Sequence, residues 1–265
     1  DEFVVVLPPG SGEEDVRRTG HTVIALFRQS VQIGSSQVSV SASMGGVLAP
    51  RDGDQPGTLL RRVDAAMYAA KDQGRNRLVF YDPSLENDAQ RRVRLLGLLR
   101  NDVDRNGFRF AAQPKVDRDG RVISAELLMR WTTDTFSAVS PTEFIPLAEQ
   151  AGLIHTLGKH AMHAAAQLVS CTRALGQTLP IAVNLSPKQL QDPGLEALLL
   201  AACEAEGIEP SMLELELTES ALVHGMDLVR PLLIRLRNAA FSLALDDFGT
   251  GYSSLAYLRH LPFNK

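Results

Sequence analysis

The chain has 265 residues, 45% apolar and 22% charged, with a net charge of −4, enough apolar material for one large domain or two ordinary ones. The negative balance argues against a nucleic-acid groove, which needs a basic face, and no apolar run reaches the roughly 18 residues of a membrane span. The opening Asp1-Glu2-Phe3 has neither the basic start nor the apolar stretch of a secretory leader, and the two cysteines, Cys171 and Cys203, lack metal-ligand spacing; a cytoplasmic protein with buried, reduced thiols is expected.

In chain order, the apolar run Phe3–Leu7 predicts a strand closed by Pro8-Pro9-Gly10. A helix is expected from Glu13 to about Val31, then an alternating strand over Val38–Ala42. After a loop rich in Gly, Asp and Pro, the apolar positions Leu59, Leu60, Val63, Ala66, Met67 and Ala70 have helical spacing, with a stop at Gly74. A strand over Leu78–Tyr81 ends at Asp82-Pro83, which reads as a domain edge dividing the chain into 1–82 and 83–265. Ser84–Arg105 reads as a helix whose Arg91, Arg92, Arg94 and Arg100 form a solvated face.

From Phe108 strands alternate with helices. Strands are expected over Phe108–Val116, Val122–Trp131, Ile181–Leu185, Leu213–Leu217 and Phe241–Asp246; helices over Pro141–Ala151, Lys159–Leu175, Leu195–Glu206 and Val229–Ala239. This rhythm implies a mostly parallel sheet. The units are too few for a complete eight-fold barrel of about 250 residues, and the chain stops after Leu261-Pro262, where another strand would be expected.

Four short apolar runs, Val122–Ala125, Ile181–Val183, Leu213–Leu215 and Leu243–Leu245, are followed by Glu126, Asn184, Glu216 and the pair Asp246-Asp247. A carboxylate just past a buried strand lies at the strand's carboxyl end, where strand–helix folds place their chemistry. Carboxylates converging there repel unless cations sit between them, and an all-oxygen set suits Mg²⁺ or Mn²⁺. The pattern points to a metal-dependent enzyme acting on an anionic substrate. Read singly, Asn184 could instead cap a helix starting at Ser186-Pro187, and Arg130 could be a surface ion pair. Asp247-Phe248-Gly249 spells a kinase metal motif but lacks a His-Arg-Asp loop. His160 and His163, at i,i+3 without a third ligand, read as structural or solvated.

The stretch Glu126-Leu127-Leu128-Met129-Arg130-Trp131 resembles the opening motif of EAL domains, the bacterial cyclic di-GMP phosphodiesterases. The resemblance continues through Gln113-Pro114-Lys115, Ser140-Pro141, Phe144–Glu149, Val183–Ser186 and Glu216–Ser220, and ends with Asp246–Leu255. Motifs this specific, in family order, identify the region as a member. The first segment resembles the end of a GGDEF domain, the diguanylate cyclase fold, through Asp64–Lys71, Gly74-Arg75-Asn76 and Ser43-Met44-Gly45; Asp1-Glu2-Phe3 is similar to the close of the motif itself. The fold implied is α/β: the C-terminal half of a GGDEF domain followed by an incomplete (β/α)8, TIM-like EAL barrel.

The resemblance implies that Glu126, Asn184, Glu216, Asp246 and Asp247 hold Mg²⁺ or Mn²⁺ and that a metal-bridged water cuts cyclic di-GMP to linear pGpG. Glu126, Asp246 and Asp247 are the expected catalytic set, with Glu219 ordering the Gly249–Ser254 loop so that Asp247 stays aimed. Gln113 and Arg130 are expected substrate contacts, Arg130 as a bidentate phosphate donor. In the GGDEF part, Lys71 and Arg75 are candidate triphosphate contacts for GTP, and Asp1 a candidate metal ligand; the bland reading of the first two is a pair of helix-end cations.

The sequence departs from the family pattern at Ala112, in place of an aromatic, at Leu127, in place of the central alanine, and at Thr132-Thr133-Asp134, in place of Arg-His-Pro. Lys265 falls two residues short of the family's catalytic lysine, and a later Glu is absent, so the chain as written is expected to be catalytically incomplete. The expected activity of the intact parent is therefore a cyclic di-GMP phosphodiesterase. The alternatives are a cyclic di-GMP receptor that does not cut, a diguanylate cyclase, and a GTP-regulated module. No nucleic-acid partner is expected, and a homodimer through the EAL domain is a further expectation.

Overall fold

The computed structural model describes residues 2–27, 31–33, 36–38, 40–218, 226–246 and 263. It divides into two compact units, Asp1–Arg94 and Leu95–Lys265.

The first unit contains α1 (Glu13–Phe27), β1 (Val31–Ile33), β2 (Ser36–Val38), β3 (Met44–Gly46), α2 (Pro56–Asp72), β4 (Leu78–Phe80) and the beginning of α3 (Pro83–Asp104). β1 and β2 form an antiparallel pair; β3 and β4 pair in parallel. Pro56 starts α2 where a missing N–H costs nothing, and Ala66 and Ala70 bury its inner face. That face lies against Gly45: a Cβ there would sit 2.1 Å from the Val63 carbonyl oxygen, so only glycine allows the strand this close.

Three expectations for this unit are corrected. Phe3–Leu7 forms no strand; it pairs with nothing among the described residues, and Phe3 and Val6 are almost fully exposed. Apolar composition gives a strand only when a neighbour supplies the ladder, and Pro8-Pro9 has no N–H to extend one. The helix expected to reach Val31 ends at Phe27, because Val31 joins β1. Of the strand expected at Val38–Ala42, only Val38 among the described residues is in a strand, as the last residue of β2; the next ladder falls on Met44–Gly46.

The second unit is built on one six-stranded sheet. Its strands are β5 (Phe108–Val116), β6 (Val122–Thr133), β7 (Ser137–Val139), β8 (Ile181–Leu185), β9 (Leu213–Thr218) and β10 (Ser242–Asp246). The order is β10-β9-β8-β6-β5, with β7 on β6. The run β6-β8-β9-β10 is parallel, as the alternation with helices demands, whereas β5 and β7 are antiparallel to β6. β5 reverses into β6 through a turn in which Asp117 Oδ1 accepts from the Asp119 and Arg121 amides and Gly120 takes φ +77°.

One face of this sheet is apolar. Ala125, Leu127, Val183, Leu215 and Leu243 pack with α5 (Ile154–Ala174), α6 (Leu195–Glu206) and the helix Met226–Asn238. A second cluster joins Leu95, Leu99 and Val103 of α3 to Phe108, Trp131 and Phe144, the last on α4 (Pro141–Ala151). The three rings lie 5.6–5.9 Å apart in tilted and edge contacts. The Trp131 indole N–H donates to Asp102 Oδ2 at 2.8 Å, which satisfies the one polar atom of a buried ring.

Because side chains alternate along a strand, burying one face on helices turns every second residue to the other. The register then decides which polar residues meet there. Cys203 is buried as expected, but Cys171 is exposed, on the outer side of α5. Among the described residues no helix is long and apolar enough to cross a membrane.

Candidate metal and anion site

The sheet register brings the sequence-selected residues onto the non-helical face. Gln113 of β5 stands opposite Glu126 of β6; Glu126 pairs with Ala182, two residues before Asn184 on β8. Asn184 aligns with Glu216 of β9, Glu216 with Ala244, and Thr218 with Asp246 of β10. Parity therefore puts Gln113, Glu126, Asn184, Glu216 and Asp246 on one side; Asn184, Glu216 and Asp246 lie toward the carboxyl ends of their strands, whereas Glu126, expected at a strand end, lies within β6, which runs on to Thr133.

Two contacts knit this face together. Asn184 Nδ2 donates to Glu126 Oε1 at 2.8 Å, linking β8 to β6. The Lys115 ammonium, from the same face of β5, donates to Glu216 Oε1 and, at 3.3 Å, to Glu214 Oε1. Glu214 and Glu216 are 3% and 6% exposed, so their charges are withdrawn from water. Glu216 Oε2 is buried and has no hydrogen-bond partner among the described residues.

The electrostatics follow from this burial. Desolvation pushes the Glu216 carboxyl above the usual carboxylate range, Lys115 pulls it back, and the negative charges of Glu126 and Asp246 add to the rise. Burial works against the Lys115 ammonium, yet its two carboxylate partners hold it above its ordinary value. Burial and repulsion outweigh one ammonium at Glu216, so this carboxyl is short of positive charge among the described residues.

That shortage fits a divalent cation. The donors are all oxygens, as hard ions prefer, and the orphaned Glu216 Oε2 is a candidate ligand atom. The side chains are not drawn together as they stand: among the described residues no three His, Cys, Asp or Glu groups are close enough to hold an ion. In a flat sheet Glu126 and Asp246 would lie roughly 14 Å apart across the intervening strands.

The remaining candidates fall as follows. Arg130 shares the face of Glu126, is exposed, and donates to the Met129 carbonyl at 3.1 Å. Gln113 is exposed. Glu219 and Asp247 lie outside the described residues, as do Asp1 and Lys265. No α-helix starts at Ser186, so the capping alternative for Asn184 is corrected: its amide is turned to Glu126, and only a short 3-10 turn, Gln189–Gln191, follows. In the first unit Lys71 sits in the last turn of α2, its ammonium 5.0 Å from the Tyr68 ring centroid, and Arg75 is exposed at φ +58° beyond the helix end. His160 is half-buried, with burial lowering its pKa.

Lys115 and Glu214 were not singled out as site residues by sequence reasoning. The signal was present in the alternation: Lys115 is two residues from Gln113, and Glu214 two from Glu216, so both pairs share a face. Glu214 and Glu216, which alternate with Leu213, Leu215 and Leu217, need partners once the strand is buried, and only the fold shows which.

Comparisons with known proteins bear on the same region of the chain. The EAL domain model matches residues 97–265, and the diguanylate cyclase GGDEF domain model matches residues 1–77. The chain is 37% identical over 264 residues to MucR of Pseudomonas aeruginosa, a bifunctional diguanylate cyclase/cyclic di-GMP phosphodiesterase, covering 99% of this chain and 38% of MucR. It is 31% identical to the cyclic di-GMP phosphodiesterase PdeR of Escherichia coli, covering 100% of this chain and 40% of PdeR. The chain thus spans about two fifths of the length of these relatives. Among solved structures, the PaMucR phosphodiesterase in complex with c-di-GMP superposes with a TM-score of 0.62 at 36% identity, over 65% of this chain and 70% of that one. The FimX EAL domain of P. aeruginosa bound to c-di-GMP gives 0.57 at 25% identity, over 64% and 68%. The chain belongs to the EAL domain family, with a GGDEF-type segment preceding its EAL region.

Proposed function

We propose that the EAL region hydrolyses one phosphodiester bond of cyclic di-GMP, giving linear pGpG. The observation that carries this reading is the shared face: Glu126, Asn184, Glu216 and Asp246 on neighbouring strands, with Glu216 Oε2 buried and unpartnered. Support comes from relatives named cyclic di-GMP phosphodiesterases and from EAL structures holding c-di-GMP.

Divalent cation dependence is general to EAL phosphodiesterases, and Mg²⁺ or Mn²⁺ suits these oxygen donors best. Glu126, Asn184, Glu216 and Asp246 would hold the ion, with Asp247 completing the set. When bound it supplies a hydroxide near neutral pH and charge stabilisation at the phosphate. Asn184 contributes a neutral oxygen, which limits repulsion of the anionic substrate. Its amide N–H holds Glu126 so that the second carboxylate oxygen is free to turn to the ion. Arg130, at the rim of the same face, binds a phosphate oxygen pair through its guanidinium fork, and Gln113 binds the substrate beside it. Glu219 orders the loop that carries Asp247.

In the first unit, GTP binding through Lys71 and Arg75, and pairing of two EAL regions, are parts of the same proposal, as are division near residue 82 and a cytoplasmic setting. A receptor that holds cyclic di-GMP without cutting it is the second reading, supported by the likeness to an EAL domain solved bound to c-di-GMP.

The test incubates the protein that carries this chain with cyclic di-GMP and Mg²⁺ or Mn²⁺ and follows pGpG by chromatography. Glu126→Gln should slow turnover by at least about 100-fold, a loss in line with removal of a metal ligand or its orienting partner. Equal turnover by both proteins removes Glu126 from the mechanism. Tight binding with no pGpG in either selects the receptor.

A further inference from the structure

We infer that Lys115 is a positioning residue for the cation site, gripping Glu216 through Oε1 so that Oε2 is presented to the ion. The inference rests on the metal-dependent reading above and concerns a residue outside the proposed ligand set.

Three observations carry it. First, the Lys115 ammonium touches the two buried acids of β9, Glu214 and Glu216, at the same time. Second, it contacts Oε1 of Glu216 and leaves Oε2 without a partner, so the two oxygens are already differentiated before any ion arrives. Third, the register puts Lys115 opposite Ser124, one step on β6 below the Gln113–Glu126 pair. Glu214 lies level with Ala182, one step below the Asn184–Glu216 pair. The ammonium therefore approaches Glu216 from the floor of the site, while Asn184 stands level with Glu216 and Asp246 lies one step nearer the strand ends. A carboxylate gripped from below is fixed in rotamer and offers a single oxygen upward. Groups that orient ligands in this way typically alter metal affinity by about 10–100-fold when removed.

The sign of the effect separates positioning from mere charge. A lysine that acted only as a nearby positive charge would repel the incoming ion, and its loss would tighten binding. A lysine that acts through Glu216 has the opposite signature. Glu214 has its place in this scheme as the second anchor: it holds the flexible four-carbon stem of Lys115 at the floor, so the ammonium does not rise into the ion's position.

The experiment titrates Mn²⁺ alone, without nucleotide, into the full chain and reads free Mn²⁺ by electron paramagnetic resonance. Lys115→Met should weaken Mn²⁺ binding by about tenfold or more, and Lys115→Arg, which keeps a two-pronged donor, should restore most of it. If the methionine variant does not fold because the buried Glu214 has lost the Lys115 ammonium, Lys115→Met combined with Glu214→Gln removes that penalty. The double variant should still bind Mn²⁺ about tenfold more weakly. A wild-type chain that takes up no Mn²⁺ overturns both this inference and the metal reading on which it rests. Wild-type uptake with unchanged or tighter binding in the lysine variants overturns the positioning role alone.

Discussion

The support beneath Asn184 can be tested at a distance, through Gly158. This residue is buried in α5, and a Cβ on it would fall 1.9 Å from Gln189 Nε2 and 2.9 Å from its Cδ. Gln189 is only 4% exposed, and its Oε1 accepts the Ser186 amide at 3.1 Å. Ser186 follows β8 by one residue and donates through Oγ to Glu149 Oε1 at 2.6 Å. A methyl at position 158 must therefore displace a side chain that is both packed and bonded. Gly158→Ala gains about 1 kcal/mol of helix propensity. Against this, displacing Gln189 costs about 1–3 kcal/mol of overpacking, and losing its bond to Ser186 about 1 kcal/mol more. The net expectation is a loss of about 2 kcal/mol. Trp131 is the chain's single tryptophan and lies in the second unit, 1% exposed, so urea unfolding followed by its fluorescence reports that unit. In a Gln189→Ala background the obstacle is gone, and Gly158→Ala should become stabilising by about 0.5–1 kcal/mol. A Gly158→Ala protein as stable as wild type, or more so, would refute the steric account.

Glu216 should make cation binding pH-dependent. Its carboxyl is raised by burial and by Glu126 and Asp246, so the folded chain keeps that proton longer than the unfolded chain does. The stability this protonation contributes is present below the ordinary value of 4.5 and is lost as pH rises through the folded value; Mn²⁺ affinity should climb over the same window, and a flat profile would contradict it. Asp52 behaves in the opposite sense. Burial alone would raise it, but the Arg51 guanidinium, the Leu48 amide and the charge of Arg62 together hold it below 3.8. Asp52→Ala should cost the first unit roughly 1–2 kcal/mol at neutral pH, with the difference from wild type shrinking as pH falls below 3.8 through the folded value; a constant difference in thermal unfolding across that range would count against it. The thiols should differ in reactivity: burial pushes Cys203 up to about 11, while Cys171 is exposed. A native-state thiol assay should label Cys171 alone, and denaturation should release Cys203; rapid labelling of both in the folded chain would show the α6 packing to be wrong.

The elements of the second unit were legible in the chain because their signals are local. Apolar blocks of strand length, helical spacing and the Ser140-Pro141 start of α4, where Ser140 Oγ caps the Thr142 amide, all act within a few residues. The candidate ligands were legible for the same reason: each is an acid or amide terminating an apolar run. The first unit was read less well. Phe3–Leu7 has strand composition but no ladder partner among the described residues, and the strand expected at Val38–Ala42 is met only at Val38, because ladder formation depends on what a neighbouring segment supplies.

Local pattern alone was enough to pick out Glu126, Asn184, Glu216 and Asp246 as candidates and to put each on a strand. Their register, and with it their neighbours, came only with the folded sheet. That Asn184 bonds Glu126, and that Lys115 reaches beneath Glu216 across 101 residues of chain, follows from strand order. The physical reason is the period of two in a strand: a slip of one residue would turn each of these side chains into the helical core, and only the packing of the whole sheet fixes that choice.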